Sequence, residues 1–173
     1  MKKMNNKGFS LVELIVVVAI MAVLMAVLVP TLIRNVEKTR VQKDKSAIAE
    51  IHHATELAIA DEDFLDAKYT DDGSKCSENP GVVKVESLFQ TDATSAALAA
   101  EVELTVGETV KLTSKMKKDC VVKIVSMDTA AGKVVFQVDS TEANEHFYID
   151  STGENKGTYS AGTAAGTQQA GTQ

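Results

Sequence analysis

The sequence predicts an α+β protein: one long N-terminal α-helix packed against a small antiparallel β-sheet. Three observations carry this. An apolar run extends from Phe9 to Val29, a stretch free of Gly and Pro follows from Thr31 to about Ala60, and short β-branched runs dominate beyond Glu101. At 173 residues and 45% apolar content, the chain has room for one modest domain plus an extended appendage, and not for two enzyme domains.

Residues 1–8 form a basic leader with Lys2, Lys3 and Lys7 and no acid, which suits a segment held on the cytoplasmic side of a membrane. Residues 9–60 are expected to be one long helix. Its part from 9 to 29 would span about 30 Å, the thickness of a hydrocarbon core, at about 1.5 Å per residue. No Ala-x-Ala pattern follows Val29 and no cysteine offers a lipid attachment point, so ordinary secretory cleavage is not expected there. Pro30 removes one helical hydrogen bond and predicts a kink near residue 30 rather than an end, because helical signals resume at once.

Beyond the proline, Ala47, Ile51, Ala54 and Ala58 fall on one helical face, flanked by Ile48 and Leu57. Before them Arg34, Glu37, Lys38, Arg40, Lys43, Asp44 and Lys45 place charge around much of the helix. Two readings stay open for this collar: a solvated surface, or a contact in which Glu37 and Asp44 pair with bases on neighbouring helices. The same bases outnumber the leader lysines, so charge counting by itself favours the reverse membrane orientation.

Residues 61–108 read as an irregular connection. Asp61, Glu62, Asp63 and Asp66 oppose the dipole at a helix C-terminus, Asn79-Pro80-Gly81 is a turn signal, and Thr94 to Ala100 is rich enough in alanine for a short helix. Residues 109–157 are assigned to the sheet. Its strands are expected at Thr109 to Thr113, Cys120 to Met127, Lys133 to Val138 and, last, Phe147 to Asp150, with a hairpin over Asp128 to Gly132. The sheet needs a cover, and the Ala47 to Ala58 stripe is the long apolar face available. Residues 158–173 are poor in anything to bury and read as a disordered tail.

Chemistry-bearing patterns are sparse. The formal charge of −6, more negative still without the leader lysines, gives no support for a nucleic-acid surface. Whether nucleic acid is a partner stays open. Cys76 and Cys120 fit neither a zinc ribbon nor a Cys-x-x-Cys pair. A disulfide between them would close a loop of roughly 45 residues, with a chain-entropy benefit of about 4 kcal/mol; two unpaired thiols are the other reading. His52 and Glu56 have the spacing of a two-ligand metal site, but exposed helical side chains are the commoner explanation, and His146 has no evident partner. The Asp61 to Asp66 cluster and Asp71-Asp72 lack the spacing of a calcium loop. No cofactor, no metal and no catalytic residue is expected, and the chain is not read as an enzyme.

Glu13 demands a reason of its own, because a carboxylate in an apolar segment is costly. Were the chain cut between Gly8 and Phe9, the new amine would lie about one helical turn away, where either that amine or the helix N-terminus favours negative charge. Lys7-Gly8-Phe9-Ser10-Leu11-Val12-Glu13, with the apolar run ending at Pro30, resembles the processing site of type IV prepilins. The resemblance implies cleavage after Gly8 by a membrane peptidase, N-methylation of Phe9, and Glu13 as the residue that sets register between subunits. It also implies the pilin fold and a helical homopolymer of identical subunits built by a pilus assembly machinery. The precursor would be a single-pass protein of the cytoplasmic membrane, and the product an extracellular filament serving adhesion, twitching motility or a related task. A pseudopilin of a type II secretion system or a minor or competence pilin shares this N-terminal chemistry. A single-pass anchor for a small surface domain is the reading from another class.

Overall fold

The structure is a computed structural model and describes residues 9–76 and 78–160. Two units divide the chain, residues 1–39 and 40–173, and α1 (Leu11–Ile59) contributes to both.

In the first unit α1 is the sole described element. Ser10 stands at its N-cap: Leu14 N–H donates to the Ser10 carbonyl at 3.2 Å, and Ser10 N–H donates to Glu13 Oε2 at 3.0 Å. Ser10 to Glu13 thus forms half of a capping box, which supplies an acceptor for an otherwise orphaned N–H. Pro30 lies inside the helix and does not end it. The apolar side chains from Leu11 to Val29 are exposed all round.

In the second unit the remainder of α1 covers a five-stranded antiparallel sheet ordered β1-β4-β5-β6-β7. These strands are β1 (Ser74–Lys75), β4 (Val121–Asp128), β5 (Lys133–Ser140), β6 (Glu145–Asp150) and β7 (Gly153–Lys156). A separate two-stranded ribbon joins β2 (Val82–Lys84) to β3 (Thr109–Lys111), and α2 (Ala93–Val106) lies between them in sequence. Asp92 caps α2 by accepting Ser95 N–H, and Gly107 at φ 88° ends it, a conformation open to glycine at little cost.

The core follows from register. Val122, Val138 and Phe147 align in one row across β4, β5 and β6, and Ile124, Phe136 and Ile149 in the next. All six are buried. A bulge at Val125 lets Met127 rather than Ser126 stand opposite Val134, keeping an apolar side chain on the helix-facing side past the irregularity. Ile48 and Ile51 of α1 are fully buried in the same core. Gly73 precedes β1 at φ 63°, where an added Cβ would fall 2.3 Å from the Val122 carbonyl oxygen; close backbone approach demands glycine there.

Several boundaries differ from those the sequence predicts. The connecting region contributes β1 and β2, two strands too short to show a period, and α2 runs well beyond Ala100. The sheet does not stop at Asp150: β7, a polar Gly-Glu-Asn-Lys strand, pairs with β6. Tyr159, in the expected tail, is also bound to the sheet. Tyr159 N–H donates to Gln137 Oε1 at 2.8 Å, and the Tyr159 and Tyr148 rings meet edge to face at 5.6 Å. The rest of the expected tail, 161–173, and the leader, 1–8, lie outside the described residues.

Candidate assembly site

The N-terminal site is built from three adjacent features. Phe9 is 89% exposed, Ser10 caps the helix, and Glu13 lies one turn in with Oε2 on the Ser10 amide. The Ser10 contact is the element that sequence reasoning passed over, although Ser-x-x-Glu ahead of an apolar run is the signature that announces it. A carboxylate has about four acceptor positions, so one bond to Ser10 leaves capacity for a further donor. Gly8, the other half of the expected cleavage junction, lies outside the described residues.

The charged collar beyond Pro30 resolves differently from either reading at its C-terminal end. Asp44 is 1% exposed and turned into its own domain. It accepts from Thr113 N–H at 2.9 and 3.0 Å, from Thr113 Oγ1 at 3.1 Å and from Ser114 N–H at 2.8 Å. That corrects the expectation that Asp44 is available to a neighbouring helix: four short contacts inside the domain occupy it.

Lys45 is equally committed. Glu145, Phe147 and Glu154 share the helix-facing side of the sheet, because 145 and 147 alternate with 146 and Ile149 stands opposite Glu154. The Lys45 ammonium sits 4.5 Å above the Phe147 ring centre, 2.8 Å from Glu145 Oε2 and 2.7 Å from Glu154 Oε1. Burial alone would lower its pKa, but hydrogen bonds and charge from the two glutamates outweigh that and raise it above the usual lysine value. Consecutive residues of α1 therefore grip the domain at two places.

The histidine reading also changes. His52 is buried rather than exposed, with Nε2 at 2.9 Å from the Val134 carbonyl and its ring edge to face with Phe136 at 5.5 Å. A nitrogen donating to a carbonyl cannot also bind a metal. Glu56 Oε1 is 3.7 Å away, too far for a hydrogen bond. His146, expected to lack a partner, lies 3.0 Å from Asp139 Oδ1. Among the described residues no group of three candidate ligands converges on a metal position.

Two ties hold the sheet's outer loops. Cys76 and Cys120 form a buried disulfide with Cα atoms 5.1 Å apart. Asp119 binds the β5–β6 turn through Ser140 Oγ at 2.6 Å, Thr141 N–H at 2.9 Å, Glu142 N–H at 2.9 Å and the Thr141 hydroxyl. Burial pushes the Asp119 carboxyl up, yet these four donors together bring it down to about 2.

The arrangement offers a membrane-length apolar helix headed by one carboxylate. No curated protein and no solved structure matches the chain. Residues 3–29 match the family model described as the prokaryotic N-terminal methylation motif, which marks the chain as type IV pilin-like, made as a membrane-anchored precursor, and places the match on the leader, the Phe9 to Glu13 cap and the apolar helix.

Proposed function

We propose that the chain is a structural subunit of a type IV pilus. The observation that carries this is the apolar half of α1, exposed on every side and headed by Glu13, attached to a sequence that goes on to form a separately cored domain. A helix that is hydrophobic all round is stable in lipid or in a bundle of like helices. The methylation motif at residues 3–29 supports the second use following the first.

The leader is removed between Gly8 and Phe9, and the Phe9 amine is methylated. In a parallel array of subunits, Glu13 keeps Oε2 on the Ser10 amide and offers Oε1 to the terminal amine of a neighbour. A subunit out of register buries that carboxylate without compensation, at a cost of about 3–5 kcal/mol. Apolar contact supplies the cohesion and Glu13 the axial position.

Mass analysis of the surface-exposed form tests the reading. A chain beginning at Phe9 and heavier by one CH2, the gain when a methyl group replaces an amine hydrogen, is expected; assembled material that still carries Met1 would refute it. Electron microscopy with a label on the sheet domain separates the roles within the class. Labelling along filament shafts fits a major pilin, labelling at tips a minor one, and labelled protein confined to the envelope a pseudopilin or a plain anchored domain.

A further inference from the structure

Lys115-Met116-Lys117-Lys118 is the densest basic run of an acidic chain. Met116 is fully buried and Ser114 caps the short 3-10 turn by accepting Met116 N–H, so the run is anchored through its methionine while Lys117 and Lys118 face outward. Gly81 draws a further lysine toward them. Its N–H donates to the Lys117 carbonyl at 2.8 Å and its own carbonyl accepts Leu112 N–H at 2.8 Å, which sets exposed Lys111 beside the run. Lys43 precedes Asp44, the residue bonded to Thr113 and Ser114 just ahead of the turn. Three carboxylates of this neighbourhood are engaged, Asp44 and Asp119 by backbone and hydroxyl donors and Glu142 by Lys118 at 3.4 Å, with exposed Glu78, three residues before Gly81, as the nearby acid.

The other end of the same domain has the opposite sign. Asp61, Glu62, Asp63 and Asp66 follow the end of α1 and are exposed. The Thr129 hydroxyl donates to the Leu65 carbonyl at 2.6 Å, bringing the β4–β5 hairpin and Asp128 to that end, with Lys68 and Lys133 as the nearby bases. Asp44 and Ile59 are separated along α1 by about 22 Å at the standard rise per residue, so the two charge groups sit at opposite ends of the covered helix.

We propose that the lysine end of one copy docks on the carboxylate end of the next, a head-to-tail contact between sheet domains that rests on the filament reading. Parallel copies displaced along α1 bring unlike ends together, whereas antiparallel copies bring like ends together. Such a heterologous contact propagates rather than closing on itself. A second copy suits the lysines better than a nucleic acid does, because a polyanion meets net negative charge elsewhere on the domain and no exposed aromatic is interleaved with the lysines for base stacking. Exposed pairs are individually weak and screened by salt. Several such pairs acting together at each repeat contribute polarity and a salt-sensitive share of the cohesion, beside the share from the apolar helices.

The test uses the full chain in a cell that assembles it. Wild-type filaments, sheared and washed, are expected to fragment as salt is raised from about 0.05 to 0.5 M, the range over which screening shortens to a few ångströms. K111E with K117E should lower filament yield about 10-fold, and adding D63K with D66K should restore it. Circular dichroism of the detergent-solubilised chains checks folding; if the reversed pair misfolds, K111Q with K117Q replaces it, with a smaller loss expected. Reversed-charge filaments as abundant and as salt-resistant as wild type would overturn the contact, as would failure of the paired reversal to rescue. So would unchanged filaments from a K111E/K117E chain that has lost binding to a labelled oligonucleotide, which would reassign the lysines to a polyanion. Absence of filaments from the wild type removes the filament reading itself, and this contact with it.

Discussion

The Asp44 carboxylate on α1 receives the backbone N–H groups of both Thr113 and Ser114, at 2.9 and 2.8 Å, across 69 and 70 residues of chain. It therefore acts as an anchor for the segment between β3 and β4. Asp44→Ala leaves two amides without acceptors, that of Thr113 in a part-buried setting and that of Ser114 in a buried one, so a loss of about 2–4 kcal/mol is expected. Asp44→Asn keeps one acceptor oxygen and should lose less. Urea unfolding of the detergent-solubilised chain, followed by near-ultraviolet circular dichroism, measures both; two variants within about 0.5 kcal/mol of wild type would contradict the anchoring role.

Lys45 gives a prediction at alkaline pH. Its pKa is raised in the folded state, so its contribution is fully present below the unfolded value near 10.4 and disappears as pH climbs through the folded one. Wild type should lose stability relative to Lys45→Met above about pH 10.4, and the gap between them should be widest at neutral pH. In the variant Glu145 and Glu154 face each other without a cation, at a cost of about 1–3 kcal/mol near pH 7. A wild-type minus variant difference that does not change between neutral and strongly alkaline pH would rule this out.

At the acid end the relevant group is Asp119. Its folded pKa of about 2 lies below the unfolded carboxylate value, so the stabilisation is present above about pH 4 and is lost as pH falls toward 2. Asp119→Asn should destabilise at neutral pH by about 1–3 kcal/mol and converge on wild type near pH 2. Thermal melts across that range supply the comparison, and parallel curves without convergence would exclude the assignment.

For Glu13, the structure separates two duties that alanine alone would confuse. Glu13→Gln retains an acceptor for the Ser10 amide and loses the charge, whereas Glu13→Ala loses both. If register between subunits depends on charge, both variants insert into the membrane and both assemble poorly. Normal filament growth with glutamine and poor growth with alanine would instead assign Glu13 to capping. Filament yield beside the membrane-bound precursor level is the measurement.

The helix and the sheet were legible because both rest on local periodicity. Ile51, Ala54 and Ala58 are buried on α1 as their spacing requires, and β4, β5 and β6 occur where the β-branched runs lie. The placement of the helix face was less legible. Leu57, expected at its flank, is 68% exposed, while Asp44, Lys45, His52 and Thr55 are buried. Charged residues enter a core when partners distant in sequence satisfy them, and here those partners lie about 70 to 110 residues on. Hydropathy has no means of registering that. The polar β7 fails to announce itself for a related reason, since it forms by pairing along β6 and not by burying an apolar face. At the N-terminus the opposite holds: Ser10 to Glu13 and the apolar run are contiguous, so the candidate site could be read almost whole.

The docking of Tyr159 on Gln137 and Tyr148 sets a practical limit on where a probe can be attached. Gln137 is buried in the central strand and takes its backbone donor from Tyr159. A fluorophore or epitope fused beyond Ser160 leaves that bond in place. One introduced between Lys156 and Tyr159 pulls the strap from the outer face of the sheet and leaves the buried Gln137 Oε1 without its donor, Nε2 keeping only Asp139, and imaging of such a fusion would report on a damaged domain.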